Sequence, residues 1–451
     1  MNSKRIKRVG YRNALIALSA ALSCLALYIL ACVSSPVSWS PDSSKIALLV
    51  TPPGDDPNKF AIFTYDIAAG DHLLLDEVEA DGILSAPSWS PDGKWIAYYR
   101  VDPSPPAAPQ APSPLDPNAA LSPPPAPKTS SAEKLFSEDD KMLPPFPWEV
   151  LKQKTDENED AELFDVKLMI VTPDGKESKV LKVLQWQGDK DDRKMIVFTK
   201  PEWSADSGRL FYARMLGPAE MFYFASLDIA TGQMHTHLLG SFGTCAASPD
   251  GKYVASLLKI DSDRLLLTIA KTDGTAQKYF ELGRHEDTEG PFFPSPSWSP
   301  DSKTLLAPAK EEILMVNADT GGINKYRDPE TGPVAYGTFS PNGTRLYYLS
   351  AHEPHDSNSD ATPPRICLKY LDLKSNKTKE VFQLGDMPDS LESGIFTISP
   401  DCKRVLLRAL LEDQADGQKS ILIFWDAKTK KTVETDPWLI RKAPASRHVT
   451  S

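Results

Sequence analysis

Cysteine, histidine and long apolar runs are all scarce in this chain of 451 residues. Each scarcity narrows what it does. There are 5 cysteines. Cys24 and Cys32 belong to an N-terminal apolar stretch. Cys245, Cys367 and Cys402 are odd in number and far apart, which argues against a disulfide framework and matches no zinc spacing. Three buried or half-buried thiols are expected. Only 7 histidines occur, few of them clustered. There is no Gly-x-Ser-x-Gly nucleophile elbow and no Walker or Gly-rich phosphate loop. No basic stripe follows the first dozen residues. With a net charge of −11, nucleic acid is not expected as the main partner.

One long apolar run exists, at the start. Lys4, Arg5, Lys7, Arg8 and Arg12 precede the uninterrupted stretch 14–31, which is at the low end of membrane-spanning length. It ends Ile29-Leu30-Ala31-Cys32. This resembles a bacterial lipobox, with cleavage before Cys32 leaving that cysteine as the lipidated N-terminus. The other reading is an uncleaved signal anchor. Residues 1–31 are therefore expected as signal peptide or membrane anchor. Either reading exports the remainder and tethers it to a membrane, on the periplasmic or surface side of a bacterial envelope.

What the chain has in abundance is one phrase, written seven times. It reads Ser-Trp-Ser-Pro-Asp-Ser at 38–43 and 297–302, and Ser-Trp-Ser-Pro-Asp-Gly at 88–93. Variants follow at 202–207, 246–251, 338–343 and 397–402. Pro presets φ at the second turn position, Asp suits the third, and Gly tolerates the fourth. An apolar run follows each copy, so each reads as a β-hairpin with a tight turn. The aromatic three residues before the Asp (Trp39, Trp89, Trp203, Trp298, Phe339) is expected between neighbouring sheets. The turn aspartates Asp42, Asp92, Asp250, Asp301 and Asp401 read as structural. A second hairpin follows each phrase, with turns such as Asp66–Gly70, Asp228–Gly232 and Asp426–Lys430. Four strands recurring seven times predict an all-β fold, a seven-bladed β-propeller of four-stranded antiparallel blades.

The signature resembles the WD40-like Pro-Asp repeats of the TolB-type propeller family. The resemblance covers roughly 36–436, and the propeller is placed at 33–436 with a tail at 437–451. It implies the scaffold and little about activity, because many functions share it. Neither the α/β domain that precedes the propeller in TolB nor the hydrolase domain that follows it in propeller-bearing peptidases is expected here.

Both turns of each unit are short and should lie on one face. Length variation falls in the other connections, on the opposite face, where binding loops usually sit. The largest insertion, 101–165 in blade two, begins Pro-rich, which favours extended conformations. It continues acidic, around an apolar island that contains Trp148. Connections at 185–200 and 281–295 bring Trp186, His285, Glu286 and Asp287 to the same face. His352 and His355, with Asp356, come from the blade-six insertion and form the best metal candidate on the chain. His235 and His237 lie on an outer strand with both rings expected on one face.

The leading expectation is a non-catalytic interaction scaffold that binds an envelope protein, peptide or glycan on the loop-rich face, without a cofactor. The alternative is an enzyme acting on saccharides through a divalent metal held by histidines at the propeller's centre.

Overall fold

The computed structural model describes residues 37–50, 60–78, 82–102, 162–188, 200–215, 221–241, 245–259, 264–273, 275–284, 296–309, 312–328, 334–352, 365–383, 393–413, 417–429 and 432–435. No helix occurs among them. They form seven antiparallel sheets, each built from strands consecutive in the chain. Blade one spans Val37–Val78, blade two Ile83–Gly188, blade three Glu202–Ser241 and blade four Cys245–Arg284. Blade five spans Ser297–Tyr326, blade six Val334–Gln383 and blade seven Ser393–Thr435. The expected seven-bladed β-propeller is the architecture observed.

Blade two departs in one detail. Its inner strand is split into Ile83–Leu84 and Ser88–Trp89, both paired with Ile96–Val101. Pro87 lies between and has no N–H to offer a ladder. Ser85 maintains the contact from just before the break. Its amide donates to the Tyr99 carbonyl at 3.0 Å, and its hydroxyl accepts the Tyr99 amide at 2.8 Å.

The repeated phrase closes each inner hairpin by one hydrogen-bond set. In blade one the Ser43 amide donates to the Ser40 carbonyl at 2.9 Å, completing the turn. The Ser40 hydroxyl donates to Asp42 Oδ1 at 2.6 Å and accepts the Lys45 amide at 2.8 Å. Asp42 also accepts the Ser44 amide. The same bonds recur at Ser90/Asp92, Ser204/Asp206, Ser299/Asp301 and Ser399/Asp401. The Ser40 hydroxyl and Ser44 amide hold the Asp42 carboxyl below its ordinary range, and Ser204 with the Gly208 amide does so for Asp206. These aspartates are structural, as the phrase suggests.

The fourth turn residue is left-handed in every copy, and in four blades it is not glycine. Ser43, Ser207, Ser302 and Cys402 have φ of 62, 57, 60 and 58°. Three of these residues gain a bond in that conformation. The hydroxyls of Ser43, Ser207 and Ser302 accept the amides of Asp401, Asp92 and Asp250, each at 3.1 Å, from the turn of the preceding blade. The Ser43–Asp401 bond joins blade one to blade seven. Arg404 adds a bond to the Ser43 carbonyl at 3.0 Å, and Leu406 packs into the blade-one cluster of Trp39, Ile46 and Leu48. Among the described residues the ring thus closes by side chains, with no strand shared between the first and last sheets.

The outer hairpin turns are fastened to the inner ones. The Ile67 amide donates to the Ser44 carbonyl at 3.1 Å, and equivalent bonds join Ile229 to Gly208, Thr272 to Lys252, Ala318 to Lys303, Leu373 to Thr344 and Ala427 to Lys403. Both turn sets therefore share one face.

The core lies between blades. Trp39, Trp89, Trp298 and Phe339 are buried, and Trp203 is half-buried. The Trp203 indole donates to the Ser88 carbonyl at 3.0 Å, and Trp298 to the Ala246 carbonyl at 3.2 Å, each in the preceding blade. Burying such a ring contributes roughly 1.5–3 kcal/mol. Outer strands carry a β-bulge, with the extra residue Leu75 in blade one, Leu181 in blade two, His237 in blade three and Val381 in blade six.

Candidate functional site

The strand ends opposite the turn face are where the chain departs from the repeat. The second and third strands of blade two end and begin at Val101 and Glu162, on either side of the long insertion. In blade six His352 pairs with Arg365, and in blade seven Asp413 pairs with Gly417, at the mouths of the other two insertions. Antiparallel pairing puts all three openings on the face away from the turns.

An ion network sits at the root of the largest insertion. Arg100 joins Asp76, on the outer strand of blade one, to Asp102, with 2.7 Å from its Nε to Asp102 Oδ1. Lys167 on the returning strand also bonds Asp102. The Lys167 ammonium, then the Arg100 guanidinium, hold the Asp102 carboxyl below its usual range against partial burial. Tyr98 donates to the other Asp76 oxygen at 2.8 Å. Burial and the Asp76 charge push the Tyr98 phenol up, so it stays a donor.

The expected face residues fare differently. Cys32, Trp148, His285, Glu286, Asp287, His355 and Asp356 lie outside the described residues. His352 ends the second strand of blade six. Trp186 is a correction. It lies within the outer strand of blade two (Ser178–Gly188), has no exposed surface, and packs on Tyr99 and Phe164 at 6.0 and 6.4 Å. That strand continues past Gln185, so the period of two turns Leu184 and Trp186 inward together. The histidine pair is also corrected. His235 is exposed, whereas the bulge turns His237 inward, where its Nε2 meets the Ser226 hydroxyl at 2.8 Å. Burial, then the His235 and Arg209 charges, lower its pKa to about 4. Among the described residues no group of three His, Cys, Asp or Glu side chains is placed to hold a metal. The three described cysteines are free thiols, Cys367 buried and the other two half-buried.

A further pair of charges, Lys200 and Glu202, stands at the start of blade three. The residue before the aromatic position, which Ala247 and Ile398 occupy in blades four and seven, is Ser38, Ser88, Ala246, Ser297, Thr338 or Thr397 in six blades, but Glu202 in blade three. Ser38 shows the ordinary role of this position, since its hydroxyl accepts the Trp89 amide of the next blade at 2.9 Å. Glu202 does the same with Oε2, accepting the Ala247 amide of blade four at 2.7 Å. Burial pushes the Glu202 carboxyl up, opposed by that amide and by Lys200. Burial pushes the Lys200 amine down, opposed by Glu202. Nearby, burial raises the Cys245 thiol to about 12, so it stays protonated. Sequence reasoning passed over this pair. Its signal was available, because Lys200-Pro201-Glu202-Trp203 stands where blade two has Ala86-Pro87-Ser88-Trp89.

No family model matches the chain, and no curated protein does. Several solved structures are similar to this chain at low identity. TolB from Acinetobacter baumannii is 13% identical, covering 86% of this chain and 78% of that one, with a TM-score of 0.39. An oligogalacturonate lyase in complex with manganese is 13% identical, covering 61% and 73%, with a TM-score of 0.41. A prolyl endopeptidase is 12% identical, covering 95% of this chain and 53% of that one, with a TM-score of 0.48. These likenesses concern the fold alone.

Proposed function

We propose that this protein is an exported, membrane-tethered propeller that works as a non-catalytic interaction scaffold in a bacterial envelope, with its partner on the face opposite the turns. The supporting observation is the asymmetry of the two faces. On one, inner and outer turns are short and joined by a repeated backbone bond in every blade but the second, where Pro173 has no amide to give. On the other, strand ends open into the long connections, and an ion network braces the longest at its root. A partner that is a protein, peptide or glycan fits loops presented on a rigid scaffold. Lipidated Cys32 or the 14–31 stretch supplies the tether in this reading.

The test is site-resolved crosslinking in the native membrane. A photoreactive amino acid is placed at Asp165 or Glu312, near the strand ends of the elaborated face, and at Lys94 or Lys303 on the turn face. Crosslinks to one partner from the first pair alone support the reading. Crosslinks from the turn face, or from neither, refute it. Radiolabelled palmitate incorporation that disappears in Cys32→Ser tests the tether separately.

A further inference from the structure

Six copies of the repeated phrase carry aspartate at the third turn position, and blade six carries Asn342. Glycine follows it, which makes 342–343 the one Asn-Gly step in the sequence. This pairing is chemically reactive. The backbone nitrogen after an asparagine can attack the side-chain carbonyl carbon, and a glycine there has no side chain to block the approach. Asn342 is exposed, so water reaches it.

The closed turn opposes that attack. The Gly343 amide donates to the Ser340 carbonyl at 2.8 Å. Attack requires this nitrogen to lose its proton and its peptide plane to swing toward Cγ, and the turn bond resists both. Asn342 Oδ1 is held as well. It accepts the Ser340 hydroxyl at 2.8 Å, the Thr344 amide at 3.1 Å and the Thr344 hydroxyl at 2.8 Å. Blade one has the same set around a carboxylate, where Asp42 Oδ1 accepts the Ser40 hydroxyl, the Ser44 amide and the Ser44 hydroxyl at 2.6, 3.0 and 2.8 Å. An aspartate at 342 would therefore meet donors already in place.

We propose that Asn342 is a deamidation site gated by the fold, silent while the blade-six turn is closed and reactive once it opens, with an aspartate product that the turn readmits. In the open chain the Gly343 nitrogen bonds to Asn342 Cγ, the Cγ–Nδ2 bond breaks, and ammonia leaves. Water then opens the succinimide ring. Hydrolysis at Cγ restores the ordinary backbone and leaves aspartate. Hydrolysis at the backbone carbonyl leaves isoaspartate, whose main chain is one methylene longer. That methylene displaces the Gly343 amide from Ser340 and removes the side-chain acceptor that Ser340 and Thr344 share. The modification thus records each opening of blade six, and the turn sorts its two products. It does not depend on the partner proposed for the loop-rich face.

The full chain is incubated in mildly alkaline buffer, folded in one set and unfolded by guanidinium chloride in the other. Mass spectrometry follows the peptide around Asn342, with fragmentation that separates aspartate from isoaspartate. Deamidation is expected to be slower in the folded chain by about tenfold or more, a ratio set by the free energy of opening the turn. After the denaturant is removed, the refolded fraction is expected to be enriched in aspartate over isoaspartate. Asn342→Asp should melt at or above wild type. Equal rates in the two sets, equal recovery of both products after refolding, or a clear fall in the melting temperature of Asn342→Asp overturns the proposal. The first two readouts use the wild-type chain alone, so the proposal remains testable if the variant does not fold.

Discussion

Lys369 and Asp328 form an ion pair of 3.2 Å that is shut away from solvent, with side-chain exposures of 5% and 0%. Asp328 follows the outer strand of blade five, and Lys369 lies on the third strand of blade six. The pair bridges two blades, and Tyr348 adds a bond to Asp328 at 2.7 Å. Removing one member of a buried pair strands the other charge, at a cost of about 3–5 kcal/mol. Lys369→Met should therefore lower the urea midpoint sharply. Lys369→Met combined with Asp328→Asn should recover most of the loss. Equal stability of Lys369→Met and wild type would show that the pair carries no weight.

His237 gives stability an acid limb of its own. Its folded pKa of about 4 lies below the ordinary 6.5. Between those values the unfolded chain binds the proton more readily than the folded one. Stability is then full above pH 6.5, falls as pH drops toward 4, and is flat for this group below that. The window contributes on the order of 3 kcal/mol. His237→Leu places an aliphatic residue where blades one, two and six have Leu75, Leu181 and Val381. Denaturation across the window should show the slope in the wild type and its loss in the variant.

Cys402 occupies the left-handed turn position at φ 58° without the hydroxyl of its serine counterparts. Cys402→Ser should offer an acceptor toward the blade-six turn and raise the melting temperature, while Cys402→Gly should relieve about 1 kcal/mol of backbone strain. Cys402→Val should destabilise. A thermal melt in which serine and valine behave alike would contradict this account of the turns.

Gly321 and Gly232 close equivalent outer turns with φ of +75 and +71°. A Cβ on Gly321 would stand 2.2 Å from Phe280 of blade four, whereas one on Gly232 would meet nothing within 4 Å. Gly232→Ala should cost about 1 kcal/mol for backbone alone. Gly321→Ala should cost on the order of 1–3 kcal/mol more, from overpacking. Adding Phe280→Leu should relieve part of the excess, and denaturant midpoints of the three variants check the order.

The repeated phrase made the blades legible because each of its residues has one physical job. The serine bridges aspartate and strand, the proline sets φ, and the aromatic fills the space between sheets. The site was less legible. His237 was misread because a bulge shifts its facing, and no local residue announces that. Trp186 was misread because its strand runs past the point where the connection was expected to start. Glu202 needed no structure to be noticed, only comparison with Ser88 and Ser38. Its chemistry needed the structure, because the tie to Ala247 is a property of the assembled ring.

Among the described residues, the seam between blades seven and one is held by the Ser43 hydroxyl, the Arg404 guanidinium and Leu406. A circle joined this way is mechanically a split washer. Under load the first and last sheets can part without either losing a strand, and each blade remains whole on its own side of the gap. A pulling force applied across the termini should therefore open the ring at this join before it unravels any sheet.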